Sequence, residues 1–473
     1  MAHWLQDHGF RAYAVRGGVL ALLDEGGPDG RELLLAETVP APSGRALAAL
    51  RHRRFRVYSA GVLLSLVGNW VEAAAFGYVV LLLGGSAATL GIIGFLNTIP
   101  NILFALPGGA LADRYERRTL LLLFQGANMG VAVLLAFLWA TGELTVPLIA
   151  AIAVVGGTLG TLSFPAFQGM LAATVPGEDL ESAVAINSLS LQVARFAGPA
   201  LAGFLLASGG PTWVFGVNAA SFLAVLAALA LLPRSNVVAA TATRLGGGIM
   251  DGLRFVLGRR SLTSLMLLLV LAGMFGTPPV AFMIPAIVRF QLEAGAGTLG
   301  ALSACIGLGS VLGSVALLAL ARRPNKGEPL LAGYFVTALA IAALGLSTSV
   351  PFSLALAVVG GFCGVVFVGL STVVVQAAAP DALRARAMAI WAAAFVGMLP
   401  FGGLITAGLA AWLGPGWAVT VDALVVLAGG IGVLAWRPQV AWLGCAALPE
   451  ACVAAGNPAA LAFEAEPVAR VSR

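Results

Sequence analysis

Charge is scarce in this sequence: only 10% of its 473 residues are Asp, Glu, Lys or Arg, while 60% are apolar, and the mean hydropathy is +0.97. A soluble globular domain carries about 25% charged residues, so a water-facing surface over most of the chain is excluded. Histidine is nearly absent, and His3, His8 and His52 all precede the first long apolar run. That leaves no metal-ligand spacing, and no clustered His, Asp or Cys of the kind a membrane enzyme needs at a bilayer face. The four cysteines (Cys305, Cys363, Cys445 and Cys452) are too few and too scattered for a disulfide framework. No GxxxxGK[ST] string occurs, which removes a P-loop ATP site. The sequence therefore predicts neither an enzyme nor a holder of metals or cofactors.

Apolar runs of about 20 residues recur from Val57 to Arg437, each long enough to cross a hydrocarbon core as a helix. Lipid offers the backbone no hydrogen-bond partner, and the alternating period of a membrane barrel is absent, so an all-α membrane protein is expected. The predicted spans are 57–83, 88–111, 119–140, 145–168, 184–208 and 213–233, then 262–288, 297–320, 329–348, 351–375, 387–410 and 416–436. A net charge of +5 and a pI of 9.4 do not point to nucleic acid, because the basic residues sit in short clusters between spans. With the N-terminus in the cytoplasm, all but two of the 26 Lys and Arg fall on the cytoplasmic side, the exceptions being Arg289 outside and Arg195 within a span. Only that orientation satisfies the positive-inside rule, and it puts both termini in the cytoplasm.

Five regions follow: a soluble extension at 1–50, a six-helix bundle at 51–233, a cytoplasmic linker at 234–261, a second six-helix bundle at 262–437, and a tail at 438–473. The linker carries Arg234, Arg244, Arg254, Arg259 and Arg260 and a glycine run at Gly246–Gly248. Its apolar Leu253, Val256 and Leu257, opposite Asp251 and Arg254, predict a short helix on the membrane surface. In the extension, His8 to Pro28 resembles the closing segment of a rhodanese-like domain that lacks its cysteine loop. The two bundles are duplicates at an offset of 204 residues. AIAVVGGTLG at 151–160 matches ALAVVGGFCG at 355–364 in seven of ten positions, and Gly210-Pro211-x-Trp213 falls on Gly414-Pro415-x-Trp417. Two parallel repeats around a central site is a transporter plan.

Charges inside spans are the sharpest functional markers, because each costs at least ~2.5 kcal/mol at the membrane centre. Glu72 sits midway along the first span with Asn69 and Phe76 on its face, and Arg195 midway along the fifth with Ser188, Gln192 and Pro199. Burial disfavours an ionised carboxylate and a nearby cation favours it, so Glu72 is a candidate proton carrier facing Arg195; a fixed structural ion pair explains the two residues equally well. Asp422, opposite Asn218 by the repeat offset, reads as structural. Further lining candidates are Asn97, Asn101, Gln125 and Asn128 in the first half, and Met274, Phe275, Trp391, Phe395 and Met398 in the second. Polar ones serve equally as glue between helices.

GGALADRYERR, Gly108 to Arg118, joins the second and third spans. It resembles the loop signature of the major facilitator superfamily, a glycine, three residues, Asp-Arg, two residues and a basic pair, here Gly109, Asp113, Arg114, Arg117 and Arg118. Glu116 stands where the family usually has a second glycine. Gly109 would let two helices meet closely, and the resemblance implies that Asp113 latches onto the start of the eleventh helix in one state and releases it in another. RFAGPALAGF, with Gly198, Pro199 and Gly203, resembles the glycine-proline motif of the superfamily's antiporters; helix packing alone accounts for the same residues. These strings, with LRHRRFRVYSAGVLLSLVGNW at 50–70 and PDALRARAMAIW at 380–391, make the chain similar to the exporter group that includes enterobactin exporters and macrolide or multidrug efflux proteins. The resemblance implies a monomeric, multi-pass transporter of a bacterial inner membrane that uses the proton gradient to export amphipathic or siderophore-like molecules. An importer or facilitator, a lipid handler, and a sensor with a sulfur-handling N-terminus are the alternatives.

Overall fold

The computed structural model of the chain describes residues 11–15, 19–23, 47–232, 249–323 and 325–438. Within the run that resembles a rhodanese end, Arg11–Val15 pairs antiparallel with Val19–Leu23. The remainder of that run, the glycines at 246–248, Cys445, Cys452 and the tail beyond 438 lie outside the described residues.

Eleven helical segments among the described residues are long and apolar enough to cross a bilayer. The first is Arg53–Leu82, the second Ala87–Thr98 continued by Pro100–Arg114, the third Arg117–Ala140 and the fourth Val146–Ala173. The next, Ser182–Leu231, has 50 residues, more than twice the length a bilayer needs. It is two helices joined at Gly210, whose φ of 70° and ψ of −168° belong to a region that only glycine occupies readily. Taking its arms separately as the fifth and sixth spans gives the expected twelve. At the equivalent place in the second half, Gly414 has φ 82° and ψ 162° between Leu399–Leu413 and Pro415–Trp436. One Gly-Pro-x-Trp string thus makes the same reversal twice.

Directions confirm the reversal. His52 bonds Asp179 and Gly198 packs on Trp70, so the fifth span rises alongside the first; Gly61 packs on Ala228 and Gly68 on Ser221, so the sixth runs back. The seventh span begins as Arg260–Leu271 and continues as Thr277–Ala286, with π-helical turns at Ala272–Gly276 and Ile287–Gln291. Pro278, Pro279 and Pro285 remove backbone donors here and account for the irregular winding. The eighth to tenth spans are Ala296–Leu320, Gly327–Leu346 and Val350–Ala378. The eleventh passes from Asp381–Phe395 through a 3-10 turn at Val396–Met398 into Leu399–Leu413, and the twelfth is Pro415–Trp436.

Arg54, Arg117, Arg259, Arg322 and Arg384 mark one face of the protein, the basic face. The far face carries the tight turns at Gly84, Gly142, Gly210, Glu293 and Gly414, all with positive φ. Trp213, Trp412 and Trp417 are exposed at the far face, where an amphipathic ring suits the edge of a bilayer. On the basic face the chain ahead of the first span is clamped to the start of the fifth. His52 Nε2 lies 2.7 Å from Asp179 Oδ2, and the Ala49 amide donates to Ser182 Oγ at 3.1 Å. Replacing His52 with Ala is expected to remove a charge-assisted bond worth about 1.5–3 kcal/mol. A fall in the thermal midpoint of purified protein, with transport unchanged, is the checkable outcome.

A short helix forms at Ile249–Leu257, within the segment where the sequence predicts one. Leu257 is 59% exposed, whereas Val256 is buried and Gly252 packs against Arg386 Cβ. Asp251 lies 3.6 Å from Arg386, so the helix docks on the eleventh span by the side that carries its acid. Outward it presents Met250 and Leu257.

Candidate functional site

Two cavities meet mid-membrane, between the bundles. The larger, about 760 Å³, is walled by the first six spans with parts of the seventh and eighth, and its polar lining includes Asn69, Glu72, Asn97, Gln125, Asn128 and Arg195. The smaller, about 390 Å³, lies in the second bundle and takes in Gln192, Thr337, Tyr334 and Phe395. Arg195, Thr277, Val280 and Ile306 line both. An apolar wall with a few convergent polar groups is the composition of a small-molecule site.

Glu72 and Arg195 face this space from neighbouring spans, but no ion pair joins them. Asn218 of the sixth span donates from Nδ2 to Glu72 Oε2 at 2.5 Å, and Ser221 Oγ lies 3.2 Å from Asn218 Oδ1. The fixed pair allowed for by the sequence is thus replaced by a carboxylate tethered to an amide. Arg195 instead holds its guanidinium carbon 5.5 Å from the centre of the Trp70 ring, a cation–π distance. Asn218 and Trp70 were missed in the sequence reading; Asn218 was legible only as the repeat partner of Asp422. Asp422 itself is fully buried, lines neither cavity, and meets Thr406 Oγ1 at 2.6 Å. Asp422→Asn can keep that bond, so its expected result is unchanged transport; a transport-dead, folded variant would assign Asp422 a role in the cycle.

Several lining candidates lie elsewhere. Asn101 lines neither cavity and accepts a bond from Thr161 Oγ1 at 2.7 Å, joining the second and fourth spans. Trp391 donates from Nε1 to Ser371 at 3.0 Å and packs on Phe395, and of the two only Phe395 reaches a cavity. Met274, Phe275 and Met398 do not line either one. Asn97 reaches the larger cavity while donating to Ala153 O at 3.2 Å. Gln192 crosses between bundles, donating from Nε2 to Ser314 at 3.0 Å. Each misplacement has one cause: a helical face read from sequence fixes which residues share a side, but not toward which neighbour that side turns.

The far face is closed. A Cβ on Gly94 would lie 2.6 Å from the Phe282 ring and one on Gly77 2.8 Å from Pro285, while Gly91 packs on Ala407 and the Phe95 and Phe401 ring centres are 6.5 Å apart. Gly203 and Gly300 bring the fifth and eighth spans into backbone contact, and Gly198 seats Trp70. The larger cavity continues toward the basic face past Gln125, Phe164 and Phe167. There, among the described residues, the hydrogen bonds that hold the loop between the second and third spans run to its own bundle. Arg117 donates to Gly169 O at 3.1 Å, and Arg118 caps the sixth span through Leu229 O and Ala230 O at 2.7 and 2.9 Å. Asp113 and Arg114 are exposed, and Arg114 stacks on Tyr115. Gly109 faces open space, and the close approach expected of it is made by Gly108, where a Cβ would lie 3.2 Å from Leu162 Cα. Glu116 has φ −59°, so this turn does not require the glycine of the wider pattern.

Twelve helices in two pseudo-symmetric bundles around a mid-membrane cavity define a major facilitator-type membrane transporter, not an enzyme. Residues 44–443 match the family model of the transmembrane secretion effectors, and the chain belongs to that family. Enterobactin exporter EntS of Salmonella typhi is 28% identical over 337 residues, covering 69% of this chain and 78% of the exporter. Its counterpart in Shigella flexneri is 27% identical over 331 residues, with the same shares covered. Among solved structures, a D-xylose-proton symporter superposes with a TM-score of 0.65 at 16% identity, over 82% of this chain and 98% of that one. A bacterial homolog of the human lysosomal transporter Spinster gives 0.61 at 15%, over 85% and 98%. At such identities these two structures speak for the fold alone.

Proposed function

We propose that the protein is a proton-driven exporter that carries amphipathic or siderophore-like small molecules out of a bacterial cytoplasm by alternating access. The observation that carries this reading is a cavity, closed at the far face, that holds one tethered carboxylate and one unpaired guanidinium. Glu72 takes up and releases the proton, and Asn69, Asn97, Gln192, Arg195 and Phe395 contact the cargo or position those that do. The basic face is cytoplasmic, with both termini on that side, the first fifty residues as a soluble extension and 234–261 as the linker. The protein works as a monomer in the inner membrane. In this conformation the latch is released; in the opposite one Asp113 engages the start of the eleventh span while Gly91, Gly203 and Gly300 separate. Gly198, Pro199 and Gly203 form the crossing on which the fifth span swings. Export of siderophore-like cargo is supported by the EntS relatives.

Everted inner-membrane vesicles test it. Cells lacking and overproducing the protein are first screened for resistance to macrolides, dyes and catechol chelators, and any hit is then followed as uptake into respiring vesicles. Uptake that collapses when nigericin dissipates the pH gradient is expected. Uptake indifferent to nigericin sinks the proton coupling, and accumulation only in right-side-out vesicles makes the protein an importer.

A further inference from the structure

We propose that Arg195 is an anion-binding subsite at the seam of the two bundles, and that the cargo is an organic anion whose carboxylate or acidic phenol docks there with its apolar body in the cavities. The inference rests on reading this space as the cargo site, and adds the charge of what enters it.

Arg195 and Glu72 are the only charged residues among those lining the two cavities. Glu72 already accepts from Asn218 and is not within ion-pair distance of Arg195. The contact of the Arg195 side chain is the Trp70 ring face, which leaves the fork of N–H donors unspent. An unpaired cation at membrane depth is costly and is tolerated where a cavity gives it a partner. A guanidinium presents two parallel donors to a planar oxyanion, a match that an ammonium or an amide lacks. Position adds to chemistry. Arg195 lines both cavities, and its own carbonyl packs against Gly307 of the eighth span, so an anion held there sits where the bundles cross. Trp70 fixes the guanidinium plane on one side and offers a ring edge for an aromatic cargo to pack on. Val280 and Ile306, shared by both cavities together with Thr277, supply apolar walls around the charge.

Binding of 2-naphthoate and of its neutral isostere 2-naphthamide to the full chain in lipid nanodiscs, followed by calorimetry with no gradient present, separates charge from shape. Naphthoate is expected to bind at least about tenfold more tightly, the size of a charge-assisted pair. Arg195→Gln should abolish the preference and Arg195→Lys retain part of it. A second measurement needs no variant: phenylglyoxal modification of Arg195, read by peptide mass spectrometry, should be slowed by naphthoate and not by naphthamide. Equal affinities for the two ligands in the wild type, or protection by both alike, overturns the proposal, as does a folded Arg195→Gln that keeps the preference. Because no transport is measured, loss of anion preference leaves proton-driven export standing, and loss of proton drive leaves the anion site standing.

Discussion

Glu72→Gln is expected to collapse concentrative transport to simple equilibration. A gradient of roughly two pH units drives one exchanged proton with about 2.7 kcal/mol, enough for about 100-fold accumulation of cargo. A glutamine can still accept from Asn218 Nδ2 at the site where Glu72 does at 2.5 Å, so the first and sixth spans stay joined and the fold is not at risk. What disappears is the proton, since an amide does not titrate. The check is the steady-state accumulation ratio in respiring vesicles, together with downhill counterflow in de-energised ones. Counterflow should persist while the ratio falls to about one. A ratio that stays high removes Glu72 from coupling, and loss of both signals marks it as a cargo contact. Asn218→Leu is expected to behave differently: the tether is lost, Glu72 is left without its amide partner, and both counterflow and accumulation decline.

Gly203→Val is the second large effect. A Cβ at Gly203 would sit 2.6 Å from Gly300 Cα and 3.2 Å from Ala296 O, which are backbone atoms that cannot swing aside as a side-chain tip can. The reciprocal Cβ on Gly300 would approach Gly203 Cα as closely, at 2.5 Å, so neither helix has slack to give. Overpacking of this kind costs about 1–3 kcal/mol, and here it falls selectively on the far-face-closed conformation, where the two helices touch. A bias of about 2.7 kcal/mol shifts a two-state equilibrium about 100-fold, so the variant is expected to be trapped with its far face open. Cysteines replacing Phe95 and Phe401, whose ring centres lie 6.5 Å apart across the far face, should be linked by a short bifunctional thiol reagent in the parent and not in the Gly203→Val background. Gly216→Val serves as the control, because its Cβ meets open space and it lines neither cavity. Unimpaired crosslinking and transport in Gly203→Val would remove the fifth–eighth crossing from the cycle.

Much of this protein was legible before folding. With so few charges, each apolar run has to be a helix in lipid, and twelve spans follow from length and hydropathy. The duplication at 204 residues was legible as a repeated string, and the structure adds that Gly210 and Gly414 within it adopt matching positive-φ turns. Glu72 and Arg195 stood out because membrane-depth charge is costly wherever it occurs. Partners were not legible. Which residue receives Glu72, whether Arg195 finds an acid or a ring, and that Asn101 and Trp391 are spent on helix contacts depend on how each helix is rotated about its axis. Rotation is set by close glycine contacts with other helices distant in sequence, such as Gly198 on Trp70 and Gly307 on Phe196. A one-dimensional period records which residues share a face, and only the packed bundle assigns that face a neighbour.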